Sequence, residues 1–255
     1  QYTALTVVAL WLVVKLAVPL FTWRGRRLML SRWRRLTRWE FWPWWVVYPP
    51  VVLYILWLGV KHRSFTLFTA ANPGIPAGGL IGESKSAILD KLPSEFVARQ
   101  VQSEFPLVVK PDAGQRGLGV AILRTPEEWD RYFAKPRGKT IVQEYVPGQE
   151  FGVFYYRLPN EERGQIFSIT EKRPVGVVGD GASTLEELIL RDERAVCLAR
   201  YFLKRHAAQL ARVLPAGEPF TLAELGTHCR GALFLDGAHM KTPELEAVMD
   251  LISRQ

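Results

Sequence analysis

Cysteine is nearly absent: Cys197 and Cys229 are the only two in 255 residues, and they form no C-x-x-C pair. Their scarcity excludes a disulfide framework and a four-ligand structural zinc site, and it suits a reducing compartment. Acidic residues are missing from the first quarter. Residues 1–63 hold ten Lys and Arg against the single acid Glu40, a balance of +9; with +8 for the whole chain, the remainder sums to −1. The basic character therefore belongs to the N-terminal quarter, and the main body has no charge motive for binding nucleic acid. Charge of either sign is missing from residues 41–60, and residues 5–21 carry only Lys15. Each run reaches the roughly 17 to 25 residues that span a bilayer core. Internal repeats and low-complexity tracts are lacking too. With 48% apolar residues and mean hydropathy near zero, the chain as a whole is neither a disordered tail nor a multi-span membrane protein.

The N-terminal quarter instead has tryptophan, eight of the nine in the chain. Residues 5–21 read as a membrane crossing; no basic stretch precedes them and no small-residue cleavage site follows, so a signal peptide fits poorly. Residues 23–40, with seven Arg and Glu40, have the charge bias of a cytoplasmic loop. In residues 41–60, Pro43, Pro49 and Pro50 and the rings of Trp42, Trp44, Trp45 and Trp57 predict a broken, interfacial or re-entrant element. A second crossing and a buried core helix are the alternatives. The expected topology is one crossing, a basic loop and a monotopic element on the cytoplasmic face of the inner membrane, with membrane lipid as a partner.

Beyond Arg63 the texture becomes that of a mixed α and β domain. Residues 105–110, 119–123, 140–145, 150–157 and 165–170 read as strands. Helices are expected after Thr125, with Pro126 in the first turn and Glu128 closing a capping box, and after Ser183, with Glu186 in the same role. A long helix is expected over 193–213, and another after Thr242. The most informative stretch is FPLVVKPDAGQRGLGV, residues 105–120: a strand delivers Lys110, and Gly114, Gly117 and Gly119 follow in a loop. Glycines let backbone N–H groups approach a phosphate, and the lysine adds a point charge to the same anion. The stretch is neither a Walker loop nor a dinucleotide fingerprint, because it leads to a strand; a plain turn is its structural alternative. Next, TIVQEYVPGQEFGVFYY places Glu144 and Glu150 six residues apart across a Pro-Gly turn, which suits a nucleotide with backbone at Tyr145 and Val146 for the base edge.

In this order of K-P, Gly-rich loop and E-x-V-P-G-x-E-F, the chain resembles the ATP-grasp superfamily, among its members the D-alanine:D-alanine ligase and cyanophycin-synthetase-like carboxylate-amine ligases, over roughly residues 83–240. The resemblance implies an α+β ATP-grasp fold, with residues 1–63 as the membrane part, 64–104 as linker and the start of the ligase region, and 105–255 as an incomplete ATP-grasp domain. It implies that Lys110 contacts phosphates, that Gly114, Arg116, Gly117 and Gly119 form the loop closing over them, and that Glu144, Tyr145, Val146 and Glu150 hold adenine and ribose. Lys172, or Arg173 beside it, matches a further phosphate-contacting lysine. Arg230, with His228, lies where the acceptor would be faced; His228 is equally at home as a structural histidine. Lys85 matches the earlier, helix-proximal lysine, while the alternative for residues 71–89 is a loop entering a helix. VVGDGASTLEELI resembles a cyanophycin-synthetase-like stretch, or is simply a turn feeding a capped helix.

The resemblance further implies ATP and Mg2+, amino-acid-like carboxylate and amine substrates, and amide formation through an acylphosphate. A membrane-anchored ATP-binding module without turnover and an ATP-grasp kinase or transferase are the alternatives. The family's metal pair, an Asp and a Glu-x-Asn on the final strands, has no counterpart after His239, and Asp236 and Asp250 are poor substitutes. No metal ligand is expected in this chain, which reads as a fragment truncated before that site and inactive alone. Cytosolic ATP agrees with a body on the cytoplasmic side.

Overall fold

The computed structural model describes residues 6–254 except 8–10, 12–13, 15–16, 73, 80–81, 102–103, 115–116, 137 and 228–229. Eight of the seventeen residues of the run 5–21, Lys15 included, therefore lie outside the described residues, as do Arg116 and His228. The chain is a mixture of helix and sheet, and it divides into two units, residues 1–48 with 172–234 and residues 49–171 with 235–255. The division cuts across the sequence blocks anticipated above.

In the first unit the basic stretch is a helix, α1 (Trp23–Thr37), where a loop was anticipated. Thr22 caps its start, accepting the Gly25 N–H at 3.0 Å. Its buried positions are Gly25 and Ser31, and Leu28 packs on the unit's core. The arginines answer backbone and carboxylate groups of the same unit. Arg27 donates to the carbonyls of Leu190 (2.5 Å) and Arg191 (2.9 Å), at the end of helix α5 (Leu185–Arg191), where unpaired carbonyls favour a cation. Arg24 pairs with Glu186, and Arg34 with the Glu193 carbonyl at 2.9 Å. These partners are more than 150 residues away in sequence, so nothing in the local pattern distinguished a docked helix from a loop.

That core gathers Leu185, Ile189, Leu190, Phe202, Leu214 and Leu222, with Val175 and Val177 from the small sheet of β6 (Gly176–Val178) and β7 (Pro219–Thr221). Helix α5 is capped by Thr184, whose hydroxyl accepts the Glu187 N–H at 3.3 Å while the Glu187 carboxylate accepts the Thr184 N–H at 2.9 Å. The capping box thus lies one residue beyond the expected Ser183 and Glu186, because Ser183 is taken by Asp180: its N–H and hydroxyl both donate to that carboxylate at 2.6 Å. Thr184→Ala is expected to lower stability by about 1 kcal/mol, read as a shifted urea midpoint at unchanged slope. The helix expected over 193–213 is not one helix. It comprises a 3₁₀ turn (Ala195–Leu198), helix α6 (Ala199–Arg205) and a second 3₁₀ turn (Ala207–Gln209). The break at His206 accompanies a contact of its Nε2 with the Leu222 carbonyl at 2.9 Å, a tertiary interaction that overrides helix propensity.

Helix α2 (Trp44–Lys61) contains the boundary between the units. It is one 18-residue helix, not the broken element that its prolines suggested. Pro49 and Pro50 are its sixth and seventh residues, where each removes one i→i−4 hydrogen bond, but proline's fixed φ is helical and the helix runs on through both. Twelve of its fourteen apolar and aromatic side chains other than proline, among them Trp44, Trp45, Leu53 and Trp57, are exposed, and by length and composition it is able to cross a membrane.

In the second unit, β1 (Leu107–Pro111) lies between β2 (Ala121–Leu123) and β3 (Thr140–Glu144), antiparallel to both. A second sheet has the order β4 (Glu150–Tyr156), β5 (Gln165–Arg173), β8 (Leu233–Asp236). Helix α3 (Lys85–Leu89) precedes β1, α4 (Pro126–Phe133) follows β2 with Thr125 as its cap, and α7 (Pro243–Ile252) begins after its cap Thr242. Val109, Leu123 and Tyr132 form the core under the first sheet.

Candidate functional site

Strand alternation sends Leu107 and Val109 into the core, and Lys110 therefore takes the other face, opposite Ile141 in the β3 register. The Lys110 ammonium is half-buried, and that burial, seconded by the charge of Lys85, lowers its pKa from the ordinary value. Lys85 enters from the first turn of α3. Its N–H donates to the Asp112 carbonyl at 3.1 Å, and its Nζ donates to the carbonyls of Asp112 (3.2 Å) and Gly114 (2.7 Å). The structure thus brings Lys85 and Lys110 together at the first leg of the Gly-rich loop.

Gly114, Gly117 and Gly119 all adopt positive φ. The requirement is strictest at Gly119 (φ 76°), where a Cβ would stand 2.7 Å from Cγ of Pro111. The loop folds back on the strand that launches it, and the Tyr132 hydroxyl fixes its far end by donating to the Gly119 carbonyl at 2.6 Å. Two ammonium groups beside a loop rich in backbone N–H groups form an arrangement suited to a polyphosphate.

Sequence reading missed Asp112, the residue that organises this corner. Its carboxylate is buried and accepts the Ser86 N–H at 2.7 Å and the Ser84 hydroxyl at 2.8 Å, with Lys139 Nζ at 3.5 Å. Lys139 also donates to the Ser86 hydroxyl at 2.7 Å. The Ser86 N–H first, then the serine hydroxyls and Lys139, hold the Asp112 pKa down to about 2. Its position directly after K-P was the available signal, but only the fold brings Ser84, Ser86 and Lys139 to it. Since this pKa is depressed on folding, the stabilisation is complete above the unfolded value of 3.8 and is lost as pH falls through about 2. The stability difference between wild type and Asp112→Asn should therefore be constant above pH 4 and shrink below it, as measured by urea unfolding across the acid range.

Glu144 is not a free carboxylate. It accepts the Arg99 backbone N–H and the Arg99 Nε, both at 2.9 Å, and pairs with the Arg99 Nη2 at 2.8 Å. The Arg99 side chain and N–H lower its pKa. The Tyr145 N–H donates to the Pro106 carbonyl at 3.2 Å, while Val146 is exposed. A base seated at this hinge would meet an ion pair. Arg99, 45 residues upstream in a segment without regular structure, gave no sequence signal. Glu150 opens β4 and is exposed. Lys172 and Arg230 belong to the first unit, whereas the other expected site residues belong to the second. Arg230 lies in a turn whose following carbonyls, Gly231 and Ala232, accept from Arg194 at 3.0 Å each.

The carboxylates near the C-terminus have structural duties. Asp250 accepts from the Tyr155 hydroxyl and from the Gly164 N–H (2.9 Å), and Asp236 accepts the Ala238 N–H at 2.9 Å in a turn. Among the described residues no group of three His, Cys, Asp or Glu side chains could hold a metal ion. The described residues do not make up a magnesium site, and no step is assigned to one. In VVGDGAST, Asp180 is a turn organiser: the hydroxyl and N–H of Ser183 and the N–H of Ala182 hold its pKa at about 2.

No family profile matches the chain. In sequence it is 25% identical over 143 residues to the glutathione biosynthesis bifunctional protein GshAB of Streptococcus thermophilus (strain CNRZ 1066), covering 53% of this chain and 17% of that protein. It is 28% identical over 133 residues to the cyanophycin synthetase of Trichormus variabilis, covering 51% and 13%. A bifunctional glutathione synthetase from Pasteurella multocida, as a crystal structure, matches 67% of this chain and 24% of its own at 15% identity, with a TM-score of 0.30. The matched stretch spans about a sixth or less of either curated relative's length. Over about half of its length, the chain is thus similar in sequence to short stretches of ATP-grasp carboxylate-amine ligases.

Proposed function

We propose that the chain is the nucleotide-binding part of an ATP-dependent carboxylate-amine ligase with the ATP-grasp fold. The observation that carries the reading is the convergence of Lys85 and Lys110 on a glycine loop, in a chain whose relatives are ATP-grasp ligases. Lys110, half-buried and lacking a carboxylate partner among the described residues, has its charge available for the phosphates. The loop N–H groups would replace the water lost from the phosphate oxygens. Lys85, now bonded to the Gly114 carbonyl, would hold the loop's first leg in place. In the reaction a substrate carboxylate oxygen attacks the terminal phosphorus of ATP and ADP departs; an amine nitrogen then attacks the acyl carbon and phosphate departs. The ligase family uses magnesium in general, and no step above is routed through it.

We further propose that the protein is attached to the cytoplasmic membrane face. Support comes from the exposed apolar surface of α2 and its tryptophans, which an aqueous surroundings would not stabilise. The test is titration of ATP with magnesium into the full-length protein, together with ADP release on adding amino acids in pairs. ADP release that needs two amino acids supports the ligase. ATP binding without any turnover favours the non-catalytic module, and absence of ATP binding rejects both.

A further inference from the structure

The first unit contains a cavity of about 310 Å3 that the ligase reading does not use. It is lined by Arg24, Leu28, Met29 and Arg32 of α1, by Pro19 of the turn ahead of that helix and by Arg200 of α6. The walls are held in place. Gly25 is buried, and a Cβ there would overlap the Pro19 carbonyl, so only glycine lets the turn lie on the helix. Arg26 ties the same turn down, its Nη1 donating to the Leu20 carbonyl at 3.0 Å.

The charges in the cavity do not cancel. Arg24 is answered by Glu186, but among the described residues neither Arg32 nor Arg200 has a carboxylate within ion-pair distance. Two uncompensated guanidinium groups therefore stand beside the apolar surfaces of Pro19, Leu28 and Met29. A small inorganic anion would satisfy the arginines and leave the apolar lining wet, and a neutral apolar molecule would do the reverse. The fitting ligand has a phosphate joined to hydrocarbon, since guanidinium recognises phosphate oxygens through paired N–H donors. The location agrees: Val7, Trp11, Val14, Val18, Leu20 and Phe21, all at least half exposed, lead along the chain to the cavity.

We propose that this cavity binds the phosphate headgroup and adjoining chain of an anionic glycerophospholipid. The inference rests on the membrane attachment proposed above, and its test separates the two. The full chain in mild detergent is titrated with dihexanoyl phosphatidylglycerol, dihexanoyl phosphatidylcholine and inorganic phosphate, and its flotation with phosphatidylcholine vesicles is measured in parallel. Saturable binding of the anionic lipid is expected, with each of the other two at least about tenfold weaker. Arg32→Ala with Arg200→Ala should weaken that binding by about tenfold or more, and flotation should be unchanged. The control pair Arg35→Ala and Arg205→Ala, on the same two helices but outside the cavity, should leave it unchanged. Equal loss in the control pair would reduce the effect to net charge and overturn the site. Equal affinity for inorganic phosphate would make it a free-anion site, and equal affinity for phosphatidylcholine a merely apolar one; either overturns the lipid assignment. If the wild type does not float, the attachment fails and the proposal fails with it; if it floats but shows no lipid preference, the cavity assignment alone is wrong.

Discussion

Alanine at position 110 is expected to weaken ATP binding by about one to two orders of magnitude, the range of a charged hydrogen bond worth roughly 1.5–3 kcal/mol. The fold should survive the change. Lys110 stands half-buried with its pKa lowered by burial and by Lys85, so the folded chain bears a desolvated charge that alanine relieves. The expected pattern is an affinity loss in calorimetry at an unchanged or slightly raised unfolding temperature. Phosphate oxygens favour the charged lysine and raise its pKa in the complex. This contribution to binding is therefore complete below the pKa of the free protein and is lost as pH rises through that of the complex. Because the free value already lies below 10.5, ATP affinity should decline at lower pH than an ordinary lysine would give. Lys110→Arg, whose charge does not titrate, should remove that decline. Unchanged affinity in Lys110→Ala would sink the phosphate assignment.

Arg194→Ala should produce the largest loss of stability, about 3–5 kcal/mol, as when one member of a buried pair is removed. Its side chain is 11% exposed and performs four tasks at once. It pairs with Glu40, donates to the carbonyls of Gly231 and Ala232 at 3.0 Å each, and lies 5.1 Å over the Phe41 ring. Alanine leaves a largely buried carboxylate with only Arg38, at 3.8 Å, and two carbonyls without their donor. Arg194→Lys keeps the charge but not the planar fork, so an intermediate loss is expected. Urea unfolding measures both, and a loss in Arg194→Ala below about 1 kcal/mol would show the pair to be no stronger than an exposed one.

Much of the secondary structure was legible because its causes are local. The five expected strands appear with ends shifted by a few residues, and α4 and α7 start after the anticipated threonine caps. In each case the signal and the structure lie within one turn of each other. The short strands β6, β7 and β8, of three or four residues, were too brief to show a period. The capping box moved by one residue because Asp180 competes for Ser183, a preference that the S-T-L-E-E string does not contain.

The candidate site was legible as a motif but not as a constellation. K-P with a glycine loop marked Lys110 and its neighbours, because backbone permissiveness and charge are intrinsic to those residue types. That Lys85 bonds the loop, that Asp112 organises its base and that Arg99 occupies Glu144 all depend on pairs 27 to 45 residues apart.

The sequence by itself determined the location of the apolar runs, the basic bias before residue 64, most strand and cap positions and the Gly-rich loop, since composition and short-range sterics act on neighbours. Only the tertiary structure decided that the arginines of residues 23–37 form a helix docked on the core, that Glu40 is held by Arg194 and that Glu144 is held by Arg99. A charge chooses its partner by distance through space, and chain order says little about that distance.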